Sequence, residues 1–133
     1  MNKEQMVRQF HQCFGLGIDK DTWDEDTILL RLTLMQEELI EMVVEMKSIM
    51  EQYPDGKHID QESKKALLKE MADLQYVLVG TAVELGLPLE KAFKRVHESN
   101  MSKLGADGKP IYREDGKALK GPDYKKPDLS DLV

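Results

Sequence analysis

Apolar residues recur at intervals of three and four along most of this 133-residue chain. That is the spacing of an α-helix with one buried face. The longest run predicts a helix from near Thr27 to about Gln52, ended by the turn sequence Tyr53-Pro54-Asp55-Gly56. Its apolar stripe consists of Leu32, Met35, Leu39, Met42, Met46 and Ile49. Because alternating steps of three and four are typical of helix bundles, we expect this helix to pack against others.

A shorter helix is predicted before this one, over residues 2–14, and Gly15 and Gly17 end it. Thr22 and Glu25 have the spacing of a capping box at the start of the long helix.

Two more helices are predicted after the long one. Asp60 can cap a helix over residues 61–85, and Pro88 lies where the first turn of a last helix, reaching about Leu104, tolerates proline. The apolar positions are Leu67, Met71, Leu74, Leu78, Ala82 and Leu85 in the first of these, and Ala92, Phe93, Val96 and Met101 in the second. The prediction is an all-α fold, a four-to-five-helix bundle.

The remaining tail, residues 105–133, is rich in glycine and proline and cannot be helical for long. Residues 111–113 and 118–119 flank a turn sequence and could pair as a small hairpin. We therefore expect one domain over residues 1–133, with a helical part over 1–104 and an irregular or hairpin tail.

Composition narrows the class of protein. No apolar run approaches the ~18 residues of a membrane span, and the charged N-terminus lacks the apolar core of a signal peptide, so we expect a cytoplasmic protein. The single cysteine, Cys13, excludes an internal disulfide and is expected to be a small buried hydrophobe. The net charge of -6 argues against binding a nucleic acid polymer.

Two acidic clusters at helical spacing carry the candidate chemistry. Glu37, Glu38 and Glu41 lie beside the apolar stripe of one long helix, and Glu70 and Asp73 lie beside the stripe of the next. If these two faces meet, their repulsion requires a compensating cation. Hard carboxylate oxygens suit Mg²⁺, with Mn²⁺ as a possible substitute, which suggests a phosphate substrate.

There are two other interpretations of the acidic residues, of which the first stays open and the second is disfavoured. Glutamate is a good helix former, and either cluster alone could be an ordinary solvated surface. A di-iron or di-manganese bundle site is disfavoured because it needs Glu-x-x-His pairs on helices, whereas Arg8 precedes His11 and Lys94 precedes His97 at that spacing.

The acidic pattern resembles the signature of the MazG-like all-α nucleoside triphosphate pyrophosphohydrolases, a group that includes phosphoribosyl-ATP pyrophosphohydrolase and helical dUTPases. Residues 96–104, 107–112 and 120–122 resemble its phosphoribosyl-ATP-pyrophosphohydrolase-like subgroup. The resemblance covers most of the chain. It implies hydrolysis of a nucleoside triphosphate to its monophosphate and pyrophosphate.

The resemblance also implies roles for individual residues. Glu38, Glu41, Glu70 and Asp73 would hold the first Mg²⁺, with Glu37 available to a second metal or to the attacking water. From its place beside Glu38, we expect Glu37 to act as the general base.

Three polar residues are candidates for substrate binding. Asn100 and Lys103 share a face of the last helix, where Asn100 could bond ribose or base and Lys103 a phosphate, and Tyr112 could close over the nucleotide.

Excess apolar residues on the long helices, such as Ile40 and Val77, favour a homodimer or a dimer of dimers. The alternatives are a phosphoribosyl-ATP pyrophosphohydrolase and a non-catalytic acidic helical interaction protein.

Overall fold

The structure is a computed structural model that describes residues 1–133. Four α-helices make up most of its regular secondary structure. Their bounds are α1 Lys3–Phe14, α2 Glu25–Gln52, α3 Gln61–Leu85 and α4 Leu89–Met101, followed by a short 3₁₀ helix, Ser130–Leu132. The all-α class is confirmed. No helix combines the length and the apolar character needed to cross a membrane.

Short polar side chains fix where the first three helices begin. Asn2 and Gln5 form a reciprocal capping box at the start of α1. Asp60 was predicted to cap α3, and its side chain accepts a hydrogen bond from the amide of Ser63. The predicted cap of α2 is wrong. Asp24, which follows Thr22 by two positions, accepts the amide hydrogen bond of Thr27 at 2.9 Å and starts the helix at Glu25.

The chain falls into two compact units, Met1–Gly86 and Leu87–Val133. In the first unit, α2 and α3 form an antiparallel pair and α1 packs on α3. The loop after α1 covers the end of α3, where the amides of Asp19 and Lys20 donate to the carbonyls of Val83 and Glu84, each at 2.8 Å. The boundary between the two units lies at Gly86, earlier than residue 104, where the helical part was predicted to give way to the tail. That the whole chain is one domain stays a prediction.

The interior of the first unit is small. Its buried apolar side chains are Val7, Ala82, Val83 and Leu85. Most of the predicted stripe of α2 is only half covered or exposed, and Leu39 and Met46 are both more than two-fifths exposed, at 46% and 47%. The expectation of a buried stripe is therefore wrong within one chain, because α1 and α3 are too few elements to cover it. Cys13 is also exposed, contrary to expectation, because it lies on the solvent side of α1.

The second unit ties the C-terminal tail back onto α4. Arg95 pairs with Asp131, and Ser99 donates from its hydroxyl to the carbonyl of Lys125 at 2.7 Å. The predicted hairpin is present as one antiparallel bridge between Tyr112 and Ala118. Helix α4 ends at Met101 rather than near residue 104, because the residues after it form tight turns.

Candidate metal centre

The two acidic clusters converge between α2 and α3. Glu38 and Glu41 project from α2, and Glu70 and Asp73 project from α3, and one carboxylate oxygen of each lies within 4.8 Å of the others. Residues three positions apart share a helix face, so each helix presents its two carboxylates together. The antiparallel pairing then places the two faces opposite each other. The family resemblance implied this convergence, whereas helical spacing alone left open whether the two acidic faces meet.

Two carboxylate oxygens of this group are shielded from solvent without a hydrogen-bond partner. They are Glu38 Oε2 and Glu70 Oε2. The Glu70 side chain is only 15% exposed, although its neighbour Lys69 is largely in solvent. Leaving a buried carboxylate oxygen unpaired costs free energy, and a hard cation offers such oxygens the ligand they lack. The donor set therefore fits Mg²⁺ or Mn²⁺.

The protonation of the cluster responds to this crowding. Burial raises the pKa of Glu38 above its ordinary value, and the neighbouring carboxylates Glu41, Asp73 and Glu70 raise it further. Burial also raises the pKa of Glu70, as does the neighbouring carboxyl group of Glu41, while the charge of Lys69 acts in the opposite direction. Both shifts mean that the fully ionised cluster is disfavoured unless positive charge compensates it.

Lys69 supplies part of that charge. Its Nζ lies 2.6 Å from Asp73 Oδ2 and 3.7 Å from Glu70 Oε1. The hydrogen bond to Asp73 raises the pKa of Lys69, so the ammonium stays protonated beside the cluster. A single ammonium at the solvent edge does not reach the shielded oxygens of Glu38 and Glu70. Lys69 therefore leaves the charge on these two oxygens uncompensated.

The other predicted site residues lie outside this group. Glu37 is exposed on α2 next to Glu38. Asn100 is exposed at the end of α4, Lys103 is half-buried in the turn that follows, and Tyr112 is 63% exposed in the tail. These three belong to the C-terminal unit. The roles assigned to all four residues stay predictions.

The sequence reasoning missed a second polar group in the N-terminal unit. Arg31 and Glu84 are 4% and 5% exposed, and Arg31 contacts three residues of α3. A signal for both was available, because each charged residue interrupts an apolar run, Ile28-Leu29-Leu30 before Arg31 and Ala82-Val83 before Glu84.

Comparison with known proteins agrees with the site. The family model described as phosphoribosyl-ATP pyrophosphohydrolase matches residues 7–100. That range includes all four clustered carboxylates and more than half of the chain. The chain therefore belongs to the phosphoribosyl-ATP pyrophosphohydrolase family. No curated protein matches it.

One similar solved structure is that of a candidate NTP pyrophosphohydrolase from Exiguobacterium sp. 255-15. The sequences are 27% identical, over 96% of this chain and 89% of that one, and the TM-score is 0.46.

The repulsion within the cluster predicts that neutralising one carboxylate stabilises the metal-free protein. We expect Glu38→Gln to raise the Tm in EDTA at neutral pH. The pKa of Glu38 is raised above the ordinary value of 4.5, so its cost to folding is absent below that pH. The cost appears as the pH rises through the folded-state pKa. The gain in Tm should therefore shrink as the pH is lowered towards 4.5.

Thermal denaturation followed by circular dichroism measures this effect, and Glu51→Gln is the matched control because Glu51 is exposed on the same helix. Added Mg²⁺ should raise the Tm of the wild type and of the control, and should do so far less for Glu38→Gln. A Glu38→Gln protein with an unchanged or lower Tm at neutral pH would contradict the prediction.

Proposed function

We propose that this protein is a Mg²⁺-dependent nucleoside triphosphate pyrophosphohydrolase, which converts a (deoxy)nucleoside triphosphate to the monophosphate and pyrophosphate. The observation that carries the proposal is the group formed by Glu38, Glu41, Glu70 and Asp73, whose oxygens lie within 4.8 Å of one another. Membership of the pyrophosphohydrolase family supports the reaction class. We propose a housekeeping role in the cytoplasmic nucleotide pool.

The charges in the site support a metal-dependent reaction on phosphate. Clustered carboxylates repel a triphosphate, and only a polyvalent cation can hold both in one place. When bound, Mg²⁺ supplies Lewis-acid stabilisation of the charge that develops on the phosphoanhydride oxygens. The four carboxylates hold and orient the cation. Glu38, Glu70 and Asp73 are partly covered by α2 and α3, which lowers the local dielectric and would strengthen these contacts.

Other residues of the chain would act directly on the reactants. Glu37 immediately precedes Glu38 on α2 and is exposed, so its carboxylate could accept a proton from the attacking water. We propose that Asn100 bonds the ribose or the base, that Lys103 bonds a phosphate and that Tyr112 closes over the nucleotide.

Phosphoribosyl-ATP is the second candidate substrate, because the matching family model carries that description. It contains the same triphosphate group, so the carboxylate cluster serves either reaction. The alternative outside the enzymes is a non-catalytic acidic interaction protein. If it is correct, no nucleotide should be turned over.

Pyrophosphate release is the direct test. We expect the wild type to release pyrophosphate from at least one member of a panel of canonical and modified (deoxy)nucleoside triphosphates and phosphoribosyl-ATP, with Mg²⁺ or Mn²⁺. Glu70→Gln should lower the rate about 100-fold or more, because several kcal/mol of transition-state stabilisation depend on the cation.

The matched control for this substitution is Glu62→Gln, which removes an exposed carboxylate from the first turn of the same helix. It should keep the wild-type rate. Equal rates for Glu70→Gln and the wild type, or no pyrophosphate release from any of these substrates, would contradict the proposed function.

The role of Glu37 is tested separately. Glu37→Gln should lower kcat roughly 10²- to 10⁴-fold, the range typical of a lost general base, while Mn²⁺ affinity stays near the wild-type value. Steady-state kinetics at saturating Mg²⁺ and Mn²⁺ titration measure the two quantities. Wild-type turnover in the variant would remove Glu37 from the mechanism.

We further propose that the protein is a homodimer or a dimer of dimers. Large apolar side chains that a lone chain leaves in solvent include Ile40 and Val44 on α2 and Leu68 on α3, which are 61%, 58% and 66% exposed. A groove between α1 and α3, of about 180 Å³, is lined mainly by apolar residues that include Met6, Tyr76 and Val79. Apolar surface of this extent is typical of an interface between chains.

Size-exclusion chromatography with light scattering should give two or four times the mass of one chain at micromolar concentration. Ile40→Glu should shift the protein to smaller species, because a buried unpaired carboxylate opposes association. Val133→Glu, which places the same charge at the exposed C-terminus, is the control. A wild-type protein of monomer mass would contradict this proposal.

A further inference from the structure

Arg31 makes the most extensive buried polar contacts in the N-terminal unit. Its Nε donates to Thr81 Oγ1 at 3.1 Å, and its Nη2 donates to the carbonyl of Val77 at 2.9 Å. Its Nη1 lies 3.6 Å from Glu84 Oε2. All three partners belong to α3, whereas Arg31 belongs to α2. The guanidinium therefore joins the two helices at three successive points along one of them.

Gly80 provides the space that the Arg31 side chain occupies. A Cβ at Gly80 would lie 2.7 Å from Arg31 Nη2 and 3.1 Å from His11 Nε2, so glycine makes room for both groups. His11 is 2% exposed and its Nδ1 lies 2.7 Å from the carbonyl oxygen of Gly17. A glycine inside a helix is intrinsically unfavourable, which indicates that the space it leaves has a use.

The Arg31 contacts and the carboxylate cluster share one helix register. Along α2, Arg31 precedes Glu38 by two helical turns, and along antiparallel α3, Val77 follows Asp73 by one turn. A slip of α2 along α3 by one turn is a displacement of about 5.4 Å. That exceeds the 4.8 Å within which the four carboxylate oxygens lie. A slip of this size would therefore break up the cluster seen in the present register.

Apolar packing alone specifies this register weakly. The stripes of α2 and α3 repeat every three or four residues, so a shift of one turn again faces apolar residues with apolar residues. A buried ion pair adds little net stability, but it penalises every arrangement that leaves its charges unpaired. The pair of Arg31 and Glu84 penalises other registers in this way, because a one-turn slip would leave the guanidinium and the carboxylate buried without each other.

We propose that Arg31 is a positioning residue, whose contacts with Val77, Thr81 and Glu84 fix the register of α2 on α3 and so hold the four carboxylates at metal-binding distance. The inference depends on the metal site of the proposed function. It adds a residue that touches neither metal nor substrate and acts through helix alignment.

The test compares Mn²⁺ binding with stability. In Arg31→Met/Glu84→Met, apolar side chains of similar length replace both charges, so the protein should keep its helix content and a Tm near that of the wild type. Its Kd for Mn²⁺, measured from the electron paramagnetic resonance signal of the free ion, should rise by roughly 10-fold, comparable to the loss of an outer-shell partner at other metal sites.

Val7→Ala is the control for general destabilisation. Val7 is a buried residue of α1, away from the contacts between α2 and α3, so its truncation should lower the Tm and leave the Kd for Mn²⁺ unchanged. A Kd that weakens in the double variant but not in Val7→Ala assigns the effect to alignment rather than to stability.

A double variant that folds and binds Mn²⁺ with the wild-type Kd overturns the inference. If the double variant does not fold, the near-isosteric Thr81→Val is the deciding variant. It removes the hydroxyl that accepts from Arg31 Nε and donates to the carbonyl of Val77, and it leaves both charges in place. A weakened Kd in folded Thr81→Val supports the inference, and an unchanged Kd overturns it.

Failure of the proposed function gives a different result. If Glu70→Gln binds Mn²⁺ as the wild type does, the metal site itself is wrong. If Glu70→Gln loses binding while the Arg31 and Thr81 variants keep it, only the positioning role is lost.

Discussion

Mutual repulsion of the carboxylates between α2 and α3 is the constraint on which the rest of the structure depends. Four acidic oxygens within 4.8 Å of one another, two of them belonging to residues with raised pKa values, oppose the packing of the two helices that carry them. The helix pair must therefore be held together by other contacts. The same repulsion would favour binding of a divalent cation, because a cation removes the cost.

Those other contacts lie mainly at one end of the helix pair. The buried residues of α3 cluster in its last turns, where α1 and the loop after it pack, and Arg31 reaches them from α2. The end of the pair nearer the loop 53–60 has no buried residue. The carboxylates lie between the packed end and this exposed one, so the alignment set at the packed end is transmitted to the site along two stiff helices. A strained site supported by a separate, well-packed region is a common arrangement in enzymes.

Local sequence signals predicted the helices well because they act over a few residues. Asp60, Gly15 and Gly86 stand where caps and left-handed turns are required, and α3 has the predicted bounds. The misassigned cap of α2 has a local cause as well, since Asp24 competes with Thr22 for the same role and accepts the hydrogen bond of Thr27. Burial was predicted poorly. A periodic stripe shows which side of a helix is apolar, but not whether a neighbour covers it.

The sequence by itself determined the helical class, the pairing of acidic residues on each long helix and hence the chemistry of the cluster, because these properties follow from residue type and spacing along one helix. Only the tertiary structure decided that Glu38 and Glu41 meet Glu70 and Asp73, and that Arg31 and Glu84 are buried together at the packed end. Helix periodicity is the same in every register of two packed helices. Which register forms depends on contacts between residues about fifty positions apart, such as Arg31 with Thr81, and no local pattern records them.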